Sequence, residues 1–315
     1  MLFEKSNNKK IYKLNPGKNW EIRWQNEYNS SLLLFITGRC NLKCKNCFSS
    51  TTRNTIEMDL ENIKKIITSN PNFKKIDLMG GEPLLHKQIS EIIHYLKKEK
   101  KDVSIYTNGI NLHRITEDLM PIRACISFHE YENDDKSRKP IKDISNQIND
   151  FIVKGNNIKL ILLLDSYNYK RALEIINKVE EDIPNLSKIT IGLMRYENDY
   201  WNDKYEGVLS FKKYYKTIKK ILKKYKGNLD IDVFLKGVLS FEGDPGYVEG
   251  RTNRFKCVFQ DYTYADCLYN ACDETHERLN ADYKLPENKK ICKHTGRCSC
   301  IADKVRLINR RKKND

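Results

Sequence analysis

"SLLLFITGRCNLKCKNC", residues 31–47, passes from an apolar run into three cysteines, Cys40, Cys44 and Cys47, held within eight residues. The first half, "SLLLFIT", reads as a buried strand. The second half puts soft ligands on the loop leaving that strand's carboxyl end, where parallel α/β barrels carry their chemistry. Three thiolates do not close a four-coordinate site, and a structural zinc site normally supplies four ligands, usually as two short pairs. Three ligands point instead to a metal centre with one position left open.

Outward from this stretch, short β-rich runs alternate with helical patterns. Strands are predicted at 31–37, 75–79, 103–107, 124–128, 158–164 and 188–194. Apolar residues spaced i, i+3 and i+4 mark helices in "DLENIKKIITS", "QISEIIHYLKKEK", "IKDISNQINDFIVKG" and "NYKRALEIINKVEED". This alternation is the signature of parallel strands joined by crossover helices. It predicts six βα units, the sixth helix in "FKKYYKTIKKILKKY" near residue 225, and a further strand in "NLDIDVFL". The expected fold is α/β, a partial (β/α)6 TIM-like barrel over 31–227. Residues 1–30 are expected to cover one end or edge of it, and 228–315 to form a small cysteine-rich C-terminal extension with a basic tail, "RLINRRKKND". The loop after the first strand runs to about twenty residues before the next helical pattern, well beyond the usual two to six.

A chain of 315 residues can bury one large domain. It has no run of 18 apolar residues, and its opening "MLFEKSNNKK" lacks the apolar stretch of a secretory leader, so the expectation is a cytoplasmic protein with no membrane partner. In a reducing compartment its ten cysteines read as metal ligands or core residues, not disulfides. The formal charge of +15 suits a nucleic acid, an acidic peptide or a membrane surface. The lysines, however, are spread at helical spacing and read as solvated outer faces. No recognisable RNA-binding module accompanies them, and nucleic acid stays open as a partner.

Cys-x3-Cys-x2-Cys lets one loop wrap a side of a cubane and ligate three irons. "CNLKCKNC" resembles the signature of the radical S-adenosylmethionine (radical SAM) enzymes, and further stretches agree. "MGGEPLL" (79–85) is similar to the family's Gly-Gly-Glu-Pro motif, "YTNG" (106–109) follows the third strand, and "ISFH" (126–129) follows the fourth. The resemblance covers roughly residues 31–225. It implies a [4Fe-4S] cluster on Cys40, Cys44 and Cys47, with the amino and carboxylate groups of S-adenosylmethionine on the fourth iron. It further implies contacts to that cofactor from Gly80, Gly81, Glu82 and Pro83, from Asn108, and from Ser127; His129 reads either as a ribose contact or proton carrier or as a loop histidine open to solvent. Gly80 and Gly81 would let backbone approach a ligand closely; Arg195, after the sixth strand, reads either as a planar fork for the methionyl carboxylate or as a partner of Glu197. Family members usually have an aromatic residue before the third cysteine; here that residue is Asn46, with Phe48 one place beyond as the nearby aromatic. The implied chemistry is one-electron cleavage of the sulfonium to a 5′-deoxyadenosyl radical that takes hydrogen from a substrate, fed by an external donor such as flavodoxin or ferredoxin.

The tail holds Cys257, Cys267, Cys272, Cys292, Cys298 and Cys300, too dense for random core cysteines. It loosely resembles the SPASM and twitch extensions that carry auxiliary clusters in peptide-modifying members, although "CKHTGRCSC" departs from the usual SPASM spacing. An auxiliary [4Fe-4S] cluster is the expectation, with zinc, joined by His294, as the alternative. The expected substrate is a peptide or protein side chain; small molecules such as sugars, and RNA, are the rivals, and a non-catalytic iron–sulfur or zinc protein is the rival from another class. Period-two alternation places Cys125, Ser127 and His129 on one strand face, where Cys125 reads either as a hydrogen donor or as a buried core residue. Asp165 reads either as a pocket residue or as a cap before "NYKRALE".

Overall fold

The structure is a computed structural model, and it describes residues 20–24, 31–44, 47, 54–132, 140–193, 207–234, 255–265, 277–286 and 305–309. In chain order the elements are β1 (Trp20–Trp24), β2 (Ser31–Thr37), α1 (Leu60–Ser69), β3 (Lys75–Gly80), α2 (Ile89–Lys98), β4 (Asp102–Thr107), β5 (Arg123–Phe128) and α3 (Ser145–Val153). There follow β6 (Asn157–Leu164), α4 (Ala172–Asp182), β7 (Lys188–Leu193), α5 (Phe211–Lys224), β8 (Asp230–Phe234), β9 (Phe255–Val258), β10 (Thr263–Ala265), β11 (Glu277–Arg278) and β12 (Val305–Asn309).

All six expected strands form, and "NLDIDVFL" supplies β8. They lie in one sheet of order β1-β12-β8-β7-β6-β5-β4-β3-β2-β9-β10-β11, parallel from β9 through β8 and antiparallel outside that run. The sheet is open, since β1 and β11 end it without pairing to each other. Strand β9, not foreseen in the sequence, pairs with β2 on the side away from β3. The sheet therefore runs across residue 227, with strands from the C-terminal region on both flanks of the barrel strands.

The expected six βα units need one correction. The connection from β4 to β5 holds no α-helix, only two 3-10 turns, Leu112–Arg114 and Glu117–Leu119. Gly109 at φ +88° starts it and Pro121, which lacks a donor and biases its predecessor towards extended backbone, ends it; the stretch between folds as these two short turns. Five α-helices remain among the described residues.

Alternation along the strands sorts the side chains into two layers. Leu32, Leu34, Ile36, Ile76, Leu78, Ile105, Ile126 and Leu160 face the helices and are fully buried. Burial of each such side chain is worth roughly 1.5–3 kcal/mol. The helices meet them with Ile63, Ile66 and Ile67 of α1, Ile89, Ile92, Ile93 and Leu96 of α2, and Ile175, Ile176 and Val179 of α4. On α5 the lysines at 212, 213, 216, 219, 220, 223 and 224 are all exposed, as expected for solvated faces. The other sheet face lines the open barrel and is more polar. It carries Asp77, Ser104, Tyr106, Cys125, Ser127 and Lys159, while Leu33, Phe35, Met79, Cys257, Phe259 and Ala265 form an apolar cluster beneath the cysteine loop.

Candidate active site at the cysteine loop

The cysteine loop leaves the carboxyl end of β2, at the rim where the barrel strands end. Its two ends are held together by an antiparallel bridge between Thr37 and Glu57, with Gly38 N donating to Ile56 O at 3.0 Å and Met58 N to Ile36 O at 2.8 Å. An ion pair between Arg39 and Glu57, 3.2 Å, spans the same neck. Buried His86 donates from Nε2 to Met58 O at 2.9 Å while its Nδ1 accepts from Gln88 N at 3.0 Å, so the ring is a neutral strut. Desolvation keeps its pKa below the ordinary value.

The end of β3 presses against this neck. Gly81 N donates to Thr37 O at 2.8 Å and Glu82 N to Arg39 O at 2.7 Å. A Cβ on Gly81 would lie 2.2 Å from the Arg39 carbonyl oxygen, and one on Gly80, at φ +146°, would lie 2.3 Å from that of Thr37. The sequence reading gave the glycines a close approach to a ligand; here the close approach is to the backbone that carries Cys40. The Glu82 carboxylate, 1% exposed, accepts from Thr107 Oγ1 at 2.7 Å, Asn108 N at 2.7 Å and Leu84 N at 3.0 Å, so its acceptor sites face protein donors. Pro83 opens the 3-10 turn Pro83–Leu85. The Asn108 side chain donates to Asn41 Oδ1 at 2.7 Å and accepts from Ile110 N at 3.0 Å.

Cys40 and Cys47 are partly exposed and Cys44 is 8% exposed; all three carry thiols, not disulfides, as do Cys125 and Cys257. The Cys40 sulfur accepts from Leu42 N at 3.4 Å. Among the described residues no three His, Cys, Asp or Glu side chains converge on a point suited to one metal ion. The thiolates of a cubane each bind a different iron and need no such convergence. Three thiols on one rim loop, one already receiving an N–H···S bond, fit that donor set.

Farther round the rim, Ser127 is half-buried on the inner face and His129 is 5% exposed, its carbonyl accepting from Asn168 Nδ2 at 2.6 Å. Cys125 lies deeper in the barrel, level with Tyr106 and Lys159, and burial pushes its thiol pKa up. Near it, burial also raises Asp77, which pairs with Lys75 at 3.3 Å. Asp165 caps the turn after β6, accepting from Tyr167 N at 2.8 Å and Asn168 N at 3.1 Å. Cys257 is fully buried on β9 opposite Leu33 of β2. Asn46, Phe48, Arg195, Glu197, His294, Cys267, Cys272, Cys292, Cys298 and Cys300 lie outside the described residues.

Residues that the motifs did not single out complete the site. Asn41 is the loop's own anchor to Asn108, Thr107 fixes the Glu82 carboxylate, and His86 holds the loop's exit at Met58. Gln260, after β9, donates to Asn54 Oδ1 at 3.3 Å, and Tyr262 donates to Asp59 Oδ2 at 2.8 Å, tying the β9–β10 turn to the loop's exit. Asn41 and Thr107 lie inside quoted motifs, whereas nothing local in the sequence marks the partners of His86, Gln260 or Tyr262.

The fold and rim define an open α/β barrel with a loop bearing three thiols after its first barrel strand. The profile of the radical SAM superfamily matches residues 34–204, more than half of the chain, and the chain belongs to that superfamily. Membership implies a [4Fe-4S] cluster and S-adenosylmethionine. The probable GTP 3′,8-cyclase of Methanococcus vannielii is 42% identical over 94 residues, 28% of this chain and 32% of that protein. The probable GTP 3′,8-cyclase of Pyrococcus abyssi is 32% identical over 130 residues, 40% of this chain and 42% of that protein. The chain thus spans less than half the length of these relatives. Among solved structures, Streptococcus suis SuiB bound to precursor peptide SuiA shares the fold over 83% of this chain and 63% of its own, with TM-score 0.65 and 13% identity. Native anSMEcpe with bound AdoMet does so over 81% and 78%, with TM-score 0.59 and 17% identity. Among the described residues, no helix is long and apolar enough to cross a membrane.

Proposed function

We propose that this radical SAM enzyme modifies a peptide or protein side chain by hydrogen abstraction. The observation that carries the reading is the extent of the shared fold: 83% of this chain superposes on an enzyme solved with its precursor peptide. The open sheet supports it, since Tyr106, Ser127, Ile161 and Leu163 on the inner face are only half-buried and leave room for a bulky substrate. When bound, the cluster and S-adenosylmethionine supply one-electron cleavage of the sulfonium to a 5′-deoxyadenosyl radical.

The chain's part is to bind, orient and exclude water. Cys40, Cys44 and Cys47 would hold the cluster. Gly80 to Pro83, Asn108, Ser127 and His129 would contact the cofactor, and the family resemblance adds Phe48 and Arg195 to that set. Within that set Glu82 serves as a positioning group, because its carboxylate is taken up by Thr107, Asn108 and Leu84. An external flavodoxin- or ferredoxin-type donor supplies the electron. Residues 228–315 carry an auxiliary cluster on Cys257, Cys267, Cys272, Cys292, Cys298 and Cys300. Iron at background in a variant with alanine at 40, 44 and 47 would refute the auxiliary cluster, and zinc in its place would establish the alternative.

A second reading, a small-molecule substrate such as a nucleotide, is favoured by the 42% identity over 94 residues to a probable GTP cyclase. One experiment separates the two. Reconstituted enzyme is incubated anaerobically with reductant, S-adenosylmethionine and either a perdeuterated peptide pool or deuterated GTP, and deuterium in 5′-deoxyadenosine is measured. Label arriving from the peptide pool alone is expected. Label arriving from GTP alone would overturn the peptide reading.

A further inference from the structure

Cys40 is bracketed by a ring of hydrogen bonds that draws on three strand ends. On one side Glu82 N donates to the carbonyl of Arg39 at 2.7 Å. On the other, Asn108 Nδ2 donates to the side chain of Asn41 at 2.7 Å. The ring closes where Asn108 N donates to Glu82 Oε2 at 2.7 Å. Asn108 is itself fixed, being 8% exposed and accepting from Ile110 N at 3.0 Å. Asn41 stands exposed on the loop, so this bond is what ties it to the barrel. Directly beyond Asn41, Leu42 N donates to the Cys40 sulfur at 3.4 Å.

We propose that Asn41 and Asn108 are a positioning pair that holds the 40–42 turn so that the Leu42 N–H points at the Cys40 sulfur, and that they thereby set the reduction potential of the cluster on this loop. The inference rests on the reading of Cys40 as a cluster ligand. Its physics is general: reduction adds negative charge to the cluster and its thiolates, an N–H···S bond stabilises that charge, and such bonds are among the determinants of iron–sulfur potentials. Asn41 lies between the first two cysteines but contributes no ligand. Its role is to fix the plane of the peptide that follows it.

The test is a potentiometric titration of the reconstituted protein followed by electron paramagnetic resonance, in wild type, Asn41→Ala, Asn108→Ser and the double variant. Asn41→Ala removes an exposed side chain, so folding survives. Asn108→Ser keeps an uncharged oxygen that can accept from Ile110 N and is too short to donate to Asn41. Each single variant is expected to keep its iron and to reduce less readily by about fivefold in the one-electron equilibrium, roughly 40 mV more negative, the size of one lost hydrogen bond. The double variant is expected to shift no further than the Asn41 variant, because both changes break one bond. Unchanged potentials at full iron content, or shifts that add in the double variant, would overturn the pair's role. A wild type that binds no reducible cluster would overturn the cluster reading itself and this inference with it.

Discussion

Gly81 shows how closely two of the signature stretches depend on each other. A methyl group there would meet the Arg39 carbonyl at 2.2 Å, and that oxygen is backbone at the root of the cysteine loop. Gly81→Ala is therefore expected to cost about 1–3 kcal/mol in unfolding free energy, as overpacking does, and to lower iron retention; urea titration and iron assay check both. His86 carries a pH signature. Burial holds its pKa below its ordinary 6.5, so the unfolded chain takes up the proton more readily. The stability it contributes is whole above about pH 6.5 and is lost as pH falls below that, towards the folded-state pKa. Thermal melts from about pH 7.5 down to about pH 5 should show a steeper loss for wild type than for His86→Gln. The three cysteines were legible from their spacing, and the paired glycines from the resemblance of "MGGEPLL" to a family motif. The tether from Asn108 to Asn41 and the strut from His86 to Met58 were not, because each joins residues far apart in the chain by one side-chain bond that leaves no local pattern.

At the scale of elements, α1 anchors two segments of the C-terminal region. Its N-cap Asp59 accepts from Asn62 N at 2.9 Å and from the Tyr262 hydroxyl at 2.8 Å. Its last turn holds the C-terminal segment, with Leu285 N donating to Asn70 Oδ1 at 2.9 Å and Ser69 Oγ to Asp282 O at 2.6 Å. Tyr262→Phe should lower stability by about 1 kcal/mol, the net worth of one such bond, measured by denaturant unfolding, with the spectrum of the folded state unchanged. The five helices were readable because buried faces recur every three or four residues. The absent third helix was a failure of analogy: the alternation suggested a helix in every crossover, while the stretch after β4 folds as two short 3-10 turns. Strand β9 escaped notice because it is four residues long and includes both a lysine and Cys257, which drew a metal-ligand reading.

Across the whole molecule, the parallel run was foreseen from β2 to β8, and what completes the sheet on either side was not. β9 covers the β2 side of the barrel and β12 pairs with β8, so the C-terminal region supplies strands to both flanks. Apolar periodicity finds strands but not which edge a distant strand will cover. Truncation after Lys226 would strip β8 from β7 and β9 from β2, exposing paired backbone and the buried faces of Leu33 and Phe35. Such a fragment is expected to aggregate, as uncovered sheet edges do, which size-exclusion chromatography would show; a monodisperse monomer would contradict this account of the sheet.

The central claim is that the loop holding Cys40, Cys44 and Cys47 carries the cluster at which S-adenosylmethionine is cleaved. Its most direct test is 5′-deoxyadenosine formation by anaerobically reconstituted protein given dithionite and S-adenosylmethionine, compared between wild type and Cys44→Ala. Product from the wild type and only background from the variant is the predicted result. Equal yields from the two proteins would contradict it.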